Sequence, residues 1–399
     1  MLKEIFFILW ILLQVYIGWH LFLPFILFVF YKLVSLFKKK DNHLGREVQY
    51  SDYAVIVTAY EQLTNIPNVV QSILNLDYPD FIVYVVADKC DITGLHFEDE
   101  RVVILRPEET LSSNTRSHFY AINRFKRPHE RLTIIDSDNL VEPDFLRKLD
   151  VFFDKGFLAV QGVRNAKNLD TEYARLDAAR DIYYHFYDGK ILFGLGSSAT
   201  LAGSGMAFTT ALYKDCLESK DITGAGFDKV LQAEILKRDV RIAFAEDAII
   251  YDEKTSKSDQ LVNQRARWIN TWFRYFKYGF QIIARGVKNF SLNQFLFGIV
   301  LLRPPLFIKL GFAIVFIVID LYISPIESVV WVAGLIFFVV GFATALLNSK
   351  TDRVIYKSLV SIPKFIFFQV ISLLNAVRAN KRSVATKHFH HSDSSLDNK

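Results

Sequence analysis

Two acidic residues one position apart, Asp136 and Asp138, stand in the stretch Leu132–Phe145 (LTIIDSDNLVEPDF), a β-branched run that breaks off into a polar turn. Such a run reads as a buried strand of a parallel sheet. Ligands of open α/β sheets bind outside the carboxyl ends of the strands. Paired carboxylates at that edge suit a hard divalent cation, Mg²⁺ or Mn²⁺, carrying a substrate diphosphate. An isolated Asp-x-Asp is also an ordinary turn, so its weight comes from its neighbours. Thr58, Tyr60 and Glu61 lie at or just beyond the end of one strand-like run, and Asp88 ends another. Asp228 follows Gly224-Ala225-Gly226-Phe227 at the start of a helical segment, and Gln264-Arg265-Ala266-Arg267-Trp268 lies downstream.

The elements that position these residues alternate between periods of two and 3.6. Tyr53–Ala59, Phe81–Ala87, Val102–Leu105 and Leu132–Ile135 read as strands, with helices expected over Asn65–Asn75 and Ser117–Phe125. This alternation predicts a mostly parallel sheet covered on both faces. Further on, Asp170–Phe186 and Val230–Lys237 read as helices, Gly194–Gly205 as a glycine- and serine-rich loop, and Arg241–Tyr251 as strand-like. Gln264–Ala284 reads as one helix whose aromatic and basic residues suit a membrane interface. The chain has no G-x-G-x-x-G and no G-x-x-x-x-G-K-[ST], so neither dinucleotide nor P-loop chemistry is indicated.

Composition adds a membrane to this picture. The chain has 399 residues, of which 51% are hydrophobic and 36 are phenylalanine, yet 22% are charged. That balance fits a soluble part joined to apolar spans. Ile5–Leu36 exceeds the roughly 20 apolar residues that cross a bilayer, with Pro24 a potential kink and Trp10 and Trp19 suited to interfaces. Leu306–Tyr322 and Val329–Leu347 read as two further spans, and Val354–Val377, interrupted by Lys357, Pro363 and Lys364, as an interfacial segment. Lys38-Lys39-Lys40 follows the first span, and Lys350, Arg353 and Lys357 follow the third. Basic clusters beside hydrocarbon mark the cytosolic side. The expected protein is therefore integral to the inner or plasma membrane, with a cytosolic central domain. The net charge of +5 comes from such flanks and is no argument for nucleic acid. Two cysteines, Cys90 and Cys216, make neither a disulfide framework nor a metal quartet. His388, His390 and His391 fall in a tail expected to be solvated. The resulting organisation is an N-terminal span over 1–40, a catalytic domain over 41–262 and interface helices over 263–300. Two spans over 301–350 follow, then an interfacial and basic tail over 351–399.

Four stations over about Tyr53–Trp272 resemble the catalytic domain of glycosyltransferase family 2, in the membrane-bound inverting branch that includes cellulose, chitin and hyaluronan synthases. These are Val57-Thr58-Ala59-Tyr60-Glu61, Val85-Val86-Ala87-Asp88, Asp136-Ser137-Asp138 and Gln264-Arg265-Ala266-Arg267-Trp268, the last matching the family's Gln-x-x-Arg-Trp without a gap. The resemblance implies a GT-A fold, a nucleotide-sugar donor (a UDP-sugar), a divalent cation, and a lipid-linked or polysaccharide acceptor. It also allows for membrane lipids and partner subunits of a polysaccharide assembly system. It implies that Thr58, Tyr60, Glu61, Asp88, Asp136, Gln264, Arg267 and Trp268 bind the donor, and that Asp136 and Asp138 hold the metal. Gly203, Ser204, Gly205 and Trp268 would border the acceptor, and Asp228 would be the base. Two positions depart from the family pattern. Phe227 stands where glutamate is usual before the base, and His118 where lysine is common in Ser117–Asn123. The resemblance leaves a processive synthase as the rival within the class, and a non-catalytic glycan-binding or export subunit as the rival outside it.

Overall fold

The computed structural model describes residues 2–37 and 50–379. The Lys38–Lys40 cluster, most of the polar linker after it and the histidine tail lie outside the described residues. The chain begins with α1 (Leu2–Phe37), one apolar helix that carries Pro24 inside it. Next come β1 (Tyr53–Tyr60), α2 (Ile66–Leu74), β2 (Phe81–Asp88), β3 (Val102–Leu105), α3 (Asn114–Ile122) and β4 (Arg131–Asp136). They are followed by β5 (Leu140–Val141), α4 (Phe145–Phe153), β6 (Ala159–Ala166), α5 (Glu172–Tyr184), a π-helix (His185–Ile191) and the single turn α6 (Leu192–Gly194). β7 (Met206–Thr209), α7 (Thr210–Leu217), α8 (Phe227–Lys237) and β8 (Ile242–Asp252) complete the sheet domain. The rest is helical: α9 (Ser258–Tyr275), α10 (Lys277–Asn289), α11 (Leu292–Leu302), α12 (Leu306–Ile323), α13 (Pro325–Leu347), α14 (Arg353–Ser358) and α15 (Ile362–Ala379).

The eight strands form one sheet in the order β3-β2-β1-β4-β7-β6-β8-β5. β3, β2, β1 and β4 run parallel, β7 is antiparallel to both its neighbours, and β8 is parallel to β6 but antiparallel to β5. Period-two alternation divides the core as expected of a sheet covered on both faces. Tyr53, Val55 and Val57 pack with Val69 and Ile73 of α2 and Leu146 and Leu149 of α4. Ala54 and Ile56 share the other core with Leu212 of α7, Leu231 of α8, and Leu23 and Leu27 of α1. The long first helix is thus docked on the sheet domain through its C-terminal half.

Four helical stretches, Lys3–Phe37, Leu306–Ile323, Pro325–Leu347 and Arg353–Ala376, are long and apolar enough to cross a membrane. Ile17 and Leu21 of α1 pack against Ala313 and Phe316 of α12 and Trp331 of α13. The last stretch, expected to be interfacial, is by length and composition also sufficient for a span. It lies along α9, where Asn270 donates to the Ala376 carbonyl at 3.0 Å and Ile269 packs with Ala376 and Phe307. The single helix expected over Gln264–Ala284 is two, turning at Phe276 so that α10 can pack along α11.

Candidate active site

Strand register gathers the acidic residues at one edge. Thr58 pairs with Asp136 across β1 and β4, and Tyr60 pairs with Asp88 across β1 and β2. The turn after β4 is held from below by the loop that enters β7. Ser204 is fully buried; its hydroxyl accepts from the Asp136 N–H at 3.0 Å and donates to Asn139 Oδ1 at 2.5 Å. Asn139 Nδ2 in turn donates to Asp138 Oδ1 at 3.0 Å. Gln161 fastens the same loop, donating to the Ser204 carbonyl and accepting from the Ala202 N–H. Gly205 sits at φ +64°, where a Cβ would lie 2.8 Å from Ile250 Cδ1, so glycine fits this backbone best.

Above this edge lies a cavity of about 1240 Å³. Thr58, Tyr60, Asp136 and Asp138 line one part, and Phe307, Leu310, Phe338, Phe342 and Phe365 of the apolar helices line another. Asp228 lies on its wall in the first turn of α8, where a carboxylate is favoured by the helix dipole. Lys229 Nζ is 3.0 Å from Asp228 Oδ2 and donates to the Leu201 carbonyl. Gly226 brings this helix start against α9: its φ is +105°, and a Cβ there would lie 2.7 Å from Thr271 Cγ2 and 2.6 Å from the Tyr275 ring. Asp136 and Asp138 are two carboxylates beside the cavity, and no cluster of three or more His, Cys, Asp or Glu suited to a metal exists among the described residues. Carboxylates are hard oxygen donors, of the kind that would suit a divalent cation such as Mg²⁺ or Mn²⁺.

Between the two ends the cavity is lined by charge. Asp177, Arg180, Asp181, Tyr184 and Asp188 form one stripe on α5 and its π-helical continuation. Lys254 Nζ donates to Asp181 at 2.5 Å and to Asp252 at 2.9 Å, and Arg164 lies 3.6 and 3.5 Å from the same two carboxylates. Burial opposes ionisation of Asp181, but Lys254, Arg180 and Arg164 overcome it and hold its carboxyl well below the usual range. Arg265 of α9 pairs with Asp177, and Asp188 takes both terminal nitrogens of Arg303. The guanidinium carbons of Arg265 and Arg180 lie 4.1 and 4.3 Å from the Trp268 ring centroid, within cation–π range. Burial, then the charge of Arg180, pulls the Arg265 guanidinium down to about 10 despite Asp177.

A family model described as glycosyltransferase like family 2 matches residues 51–271, more than half of the chain. The chain belongs to this family. It is a glycosyltransferase, and its mostly parallel sheet flanked by helices is GT-A-like. Among solved structures, the mannosyltransferase PcManGT from Pyrobaculum calidifontis, in complex with GDP-Man and Mn²⁺, is 15% identical, with 90% of this chain and 98% of that one covered at a TM-score of 0.58. Residues 1–349 of TarS from S. aureus are 16% identical, with 83% of this chain and 90% of that one covered and a TM-score of 0.41. The same TarS fragment with UDP-GlcNAc is 15% identical, with the same coverages and TM-score. No curated protein matches by sequence.

For this glycosyltransferase, the cavity wall collects Thr58, Tyr60, Asp136, Asp138, Gly203, Asp228, Gln264 and Trp268 from the residues expected by sequence. Five expected residues are not part of that wall. Glu61 is turned outward at φ +61° and pairs with Lys89 at 2.7 Å. Asp88 is buried, and its two carboxylate oxygens accept the N–H groups of Leu111 and Ser112 at 2.9 and 2.8 Å, which fixes that loop. Ser204 and Gly205 act beneath the Asp136 turn, as described above. Arg267 of α9 is not among the lining residues, although Gln264, Arg265, Trp268, Ile269, Thr271 and Trp272 of the same helix are. Sequence reasoning passed over Arg164, Arg180, Asp181, Lys254, Arg265 and Arg303. Helical spacing carried a signal for some of them: Arg265, Trp268 and Trp272 recur at i, i+3 and i+7, and Asp177, Asp181, Tyr184 and Asp188 at i, i+4, i+7 and i+11.

The two departures from the family pattern meet in space. His118 is fully buried, accepts or donates a 2.6 Å hydrogen bond between Nδ1 and the Tyr213 hydroxyl, and packs edge-on to Phe227 with ring centroids 5.1 Å apart. Burial lowers its pKa to about 3, so it is neutral at ordinary pH. The pair is a core contact between α3 and α8 that supports the helix start bearing Asp228.

Proposed function

We propose that this glycosyltransferase is anchored in a membrane by its long apolar helices and transfers a sugar, with inversion, from a nucleotide-diphosphate donor to a lipid-linked acceptor at the cytosolic leaflet. The observation that carries this reading is the continuity of one cavity from the strand ends at Asp136 and Asp138, past Asp228, to the faces of α12, α13 and α15. A donor diphosphate belongs at the strand ends, and an acceptor with an apolar tail belongs at the apolar helices. Thr58 and Tyr60 border the nucleotide, with the Tyr60 ring available to the base. Asp88 acts behind them, through the loop it fastens. A divalent cation bound by Asp136 and Asp138 would neutralise the charge that develops on the leaving diphosphate.

The reaction needs one proton moved and one bond exchanged. The acceptor hydroxyl gives its proton to the Asp228 carboxylate as its oxygen bonds to the sugar C1 on the face opposite the departing diphosphate, and the bond from C1 to the diphosphate oxygen breaks with its electron pair leaving on that oxygen. A positioned base of this kind contributes about 10²–10⁴ in rate. Lys350, Arg353 and Lys357 after α13, against Glu327 in its first turn, favour a cytosolic catalytic face. A UDP-sugar is the expected donor.

The test is a panel of UDP- and GDP-sugars offered to the purified full chain in native-like membranes, scored for nucleotide release and product size. One donor should be turned over with a discrete product, whereas a ladder would indicate processive addition. No turnover of any nucleotide sugar would overturn the reading.

A further inference from the structure

Asp228 is the second residue of α8, at a helix start that competes for its carboxylate. The N-cap is Gly226, which has no side chain to satisfy the first N–H groups of the helix. A carboxylate in the first turn is drawn toward those N–H groups and toward the positive end of the helix dipole. Turned back in that way, it would spend its lone pairs on its own helix. The structure shows no such bond among the described residues. Asp228 Oδ2 instead meets Lys229 Nζ at 3.0 Å, and the same ammonium donates to the Leu201 carbonyl at 3.2 Å. Both side chains line the cavity, with Asp228 16% and Lys229 36% exposed, so the pair is open to a ligand there.

Leu201 is where the helix bearing Asp228 meets the loop beneath Asp136. α8 engages both backbone polar groups of Leu201: Lys229 donates to its carbonyl, and Gln232 Oε1 accepts from its N–H at 3.0 Å. The next residue is fastened from β6, since the Ala202 N–H donates to Gln161 Oε1 at 2.9 Å and the Ala202 carbonyl accepts from Arg164 Nη1 at 2.8 Å. Ser204 then carries the Asp136 N–H and Asn139. Leu201, Gln161, Gln232 and Ser204 are each 1% exposed or less, so these bonds are shielded from competing water. The loop is thus a braced strut running from α8 to the Asp136 turn, and Lys229 is the link in it that touches the Asp228 carboxylate. Such a strut bears on rate, because a displacement of about 1 Å in a reacting group can cost about 10²-fold.

We infer that Lys229 is a positioning residue for the base: it draws the Asp228 carboxylate off the helix start and ties it to the Leu201–Gly205 loop, so that base and donor edge keep one fixed separation. The inference rests on the reading of Asp228 as the base. The tie is charge-assisted while Asp228 is ionised and weakens once the carboxyl holds the acceptor's proton.

Four forms of the full chain in native-like membranes test it: native, Lys229→Met, Asp228→Asn and the double variant, each given the UDP- or GDP-sugar that the native chain turns over. Single-turnover transfer and the binding of UDP or GDP are followed in parallel. Lys229→Met should slow transfer about 10- to 100-fold, the scale of a reacting group displaced by about 1 Å, with nucleotide affinity unchanged. In the Asp228→Asn background the same substitution should change the residual transfer by less than about twofold, because residues that act as one unit are not additive. A lysine that merely supports the helix would cost the same factor in both backgrounds, and that result would overturn the inference. A Lys229→Met rate within about twofold of native would overturn it as well, as would an equal loss of transfer and nucleotide affinity. Should the methionine variant fail to fold, Lys229→Gln keeps a polar head at this part-exposed position, and the same cycle with the same outcomes decides. An Asp228→Asn variant that transfers like the native chain refutes Asp228 as the base and the inference with it. A slow Asp228→Asn beside an unaffected Lys229→Met refutes the inference alone.

Discussion

His118 should make the stability of the α3 region depend on pH, alongside His185 and His129, whose burial also depresses their pKa. Its folded pKa is about 3 against an ordinary value of 6.5, through burial of the ring. Between these values the unfolded chain binds a proton that the folded chain refuses. Stability from this source is therefore complete above pH 6.5 and falls as pH drops toward 3, by at most about 1.4 kcal/mol per pH unit. Integrated from pH 7 to pH 5, the loss is about 2 kcal/mol. His118→Gln removes the titrating ring and keeps a polar group for Tyr213. Its stability at pH 7 should drop, since the edge contact with Phe227 goes, but its loss between pH 7 and pH 5 should be smaller than the native protein's by about 2 kcal/mol. Hydrogen exchange of the α3 amides, corrected for intrinsic rates at each pH, reads this local free energy in the full chain. Equal pH slopes in the two proteins would refute the argument that the ring is buried neutral.

Asp228→Asn should lower transfer by about 10²–10⁴ while nucleotide-sugar affinity stays unchanged; single-turnover rates with a parallel binding titration measure both. Gly205→Ala forces a positive φ on alanine beneath the Asp136 turn and should destabilise the domain by about 1–2 kcal/mol, read as a lower melting temperature with a raised KM for the donor. Cysteine placed at Ser324, between α12 and α13, should be labelled from outside the cell by an impermeant maleimide, and one placed at Glu246 in the sheet domain should not. The reverse pattern would put the catalytic face on the wrong side for cytosolic nucleotide sugars.

What sequence could reveal follows from where the information is local. Strands such as Tyr53–Tyr60 and Phe81–Asp88 are short apolar runs ended by polar residues, so their positions and the carboxylates at their ends were legible within a residue or two. The same holds for Asp136, Asp138 and Asp228, each tied to the end or start of an element. Asp88 was legible as a residue but not in its contacts, because its partners, the N–H groups of Leu111 and Ser112, belong to a distant loop. His118 and Phe227 looked like two separate anomalies, and only the packing of α3 on α8 makes them one contact. Within the Gln264–Trp268 signature, Arg265 lines the cavity together with Trp268 and Trp272, a position that the pattern Gln-x-x-Arg-Trp leaves unspecified. The charge stripe on α5 is hidden from sequence because charged residues on a helix ordinarily face solvent; here it faces the cavity, with Arg265 and Trp268 of α9 against it, which no local pattern announces.

Glycosyl transfer is proposed at the edge formed by Asp136 and Asp138, whose carboxylates would hold a divalent cation that supplies charge neutralisation to the donor. It is tested most directly by titrating Mn²⁺ or Mg²⁺ into metal-stripped enzyme in nanodiscs and following nucleotide release, in the native chain and in Asp138→Asn. The account predicts release that saturates with metal in the native protein, vanishes with EDTA, and stays near background in Asp138→Asn at every metal concentration. Release that persists in EDTA, or an Asp138→Asn variant that titrates like the native protein, would contradict it.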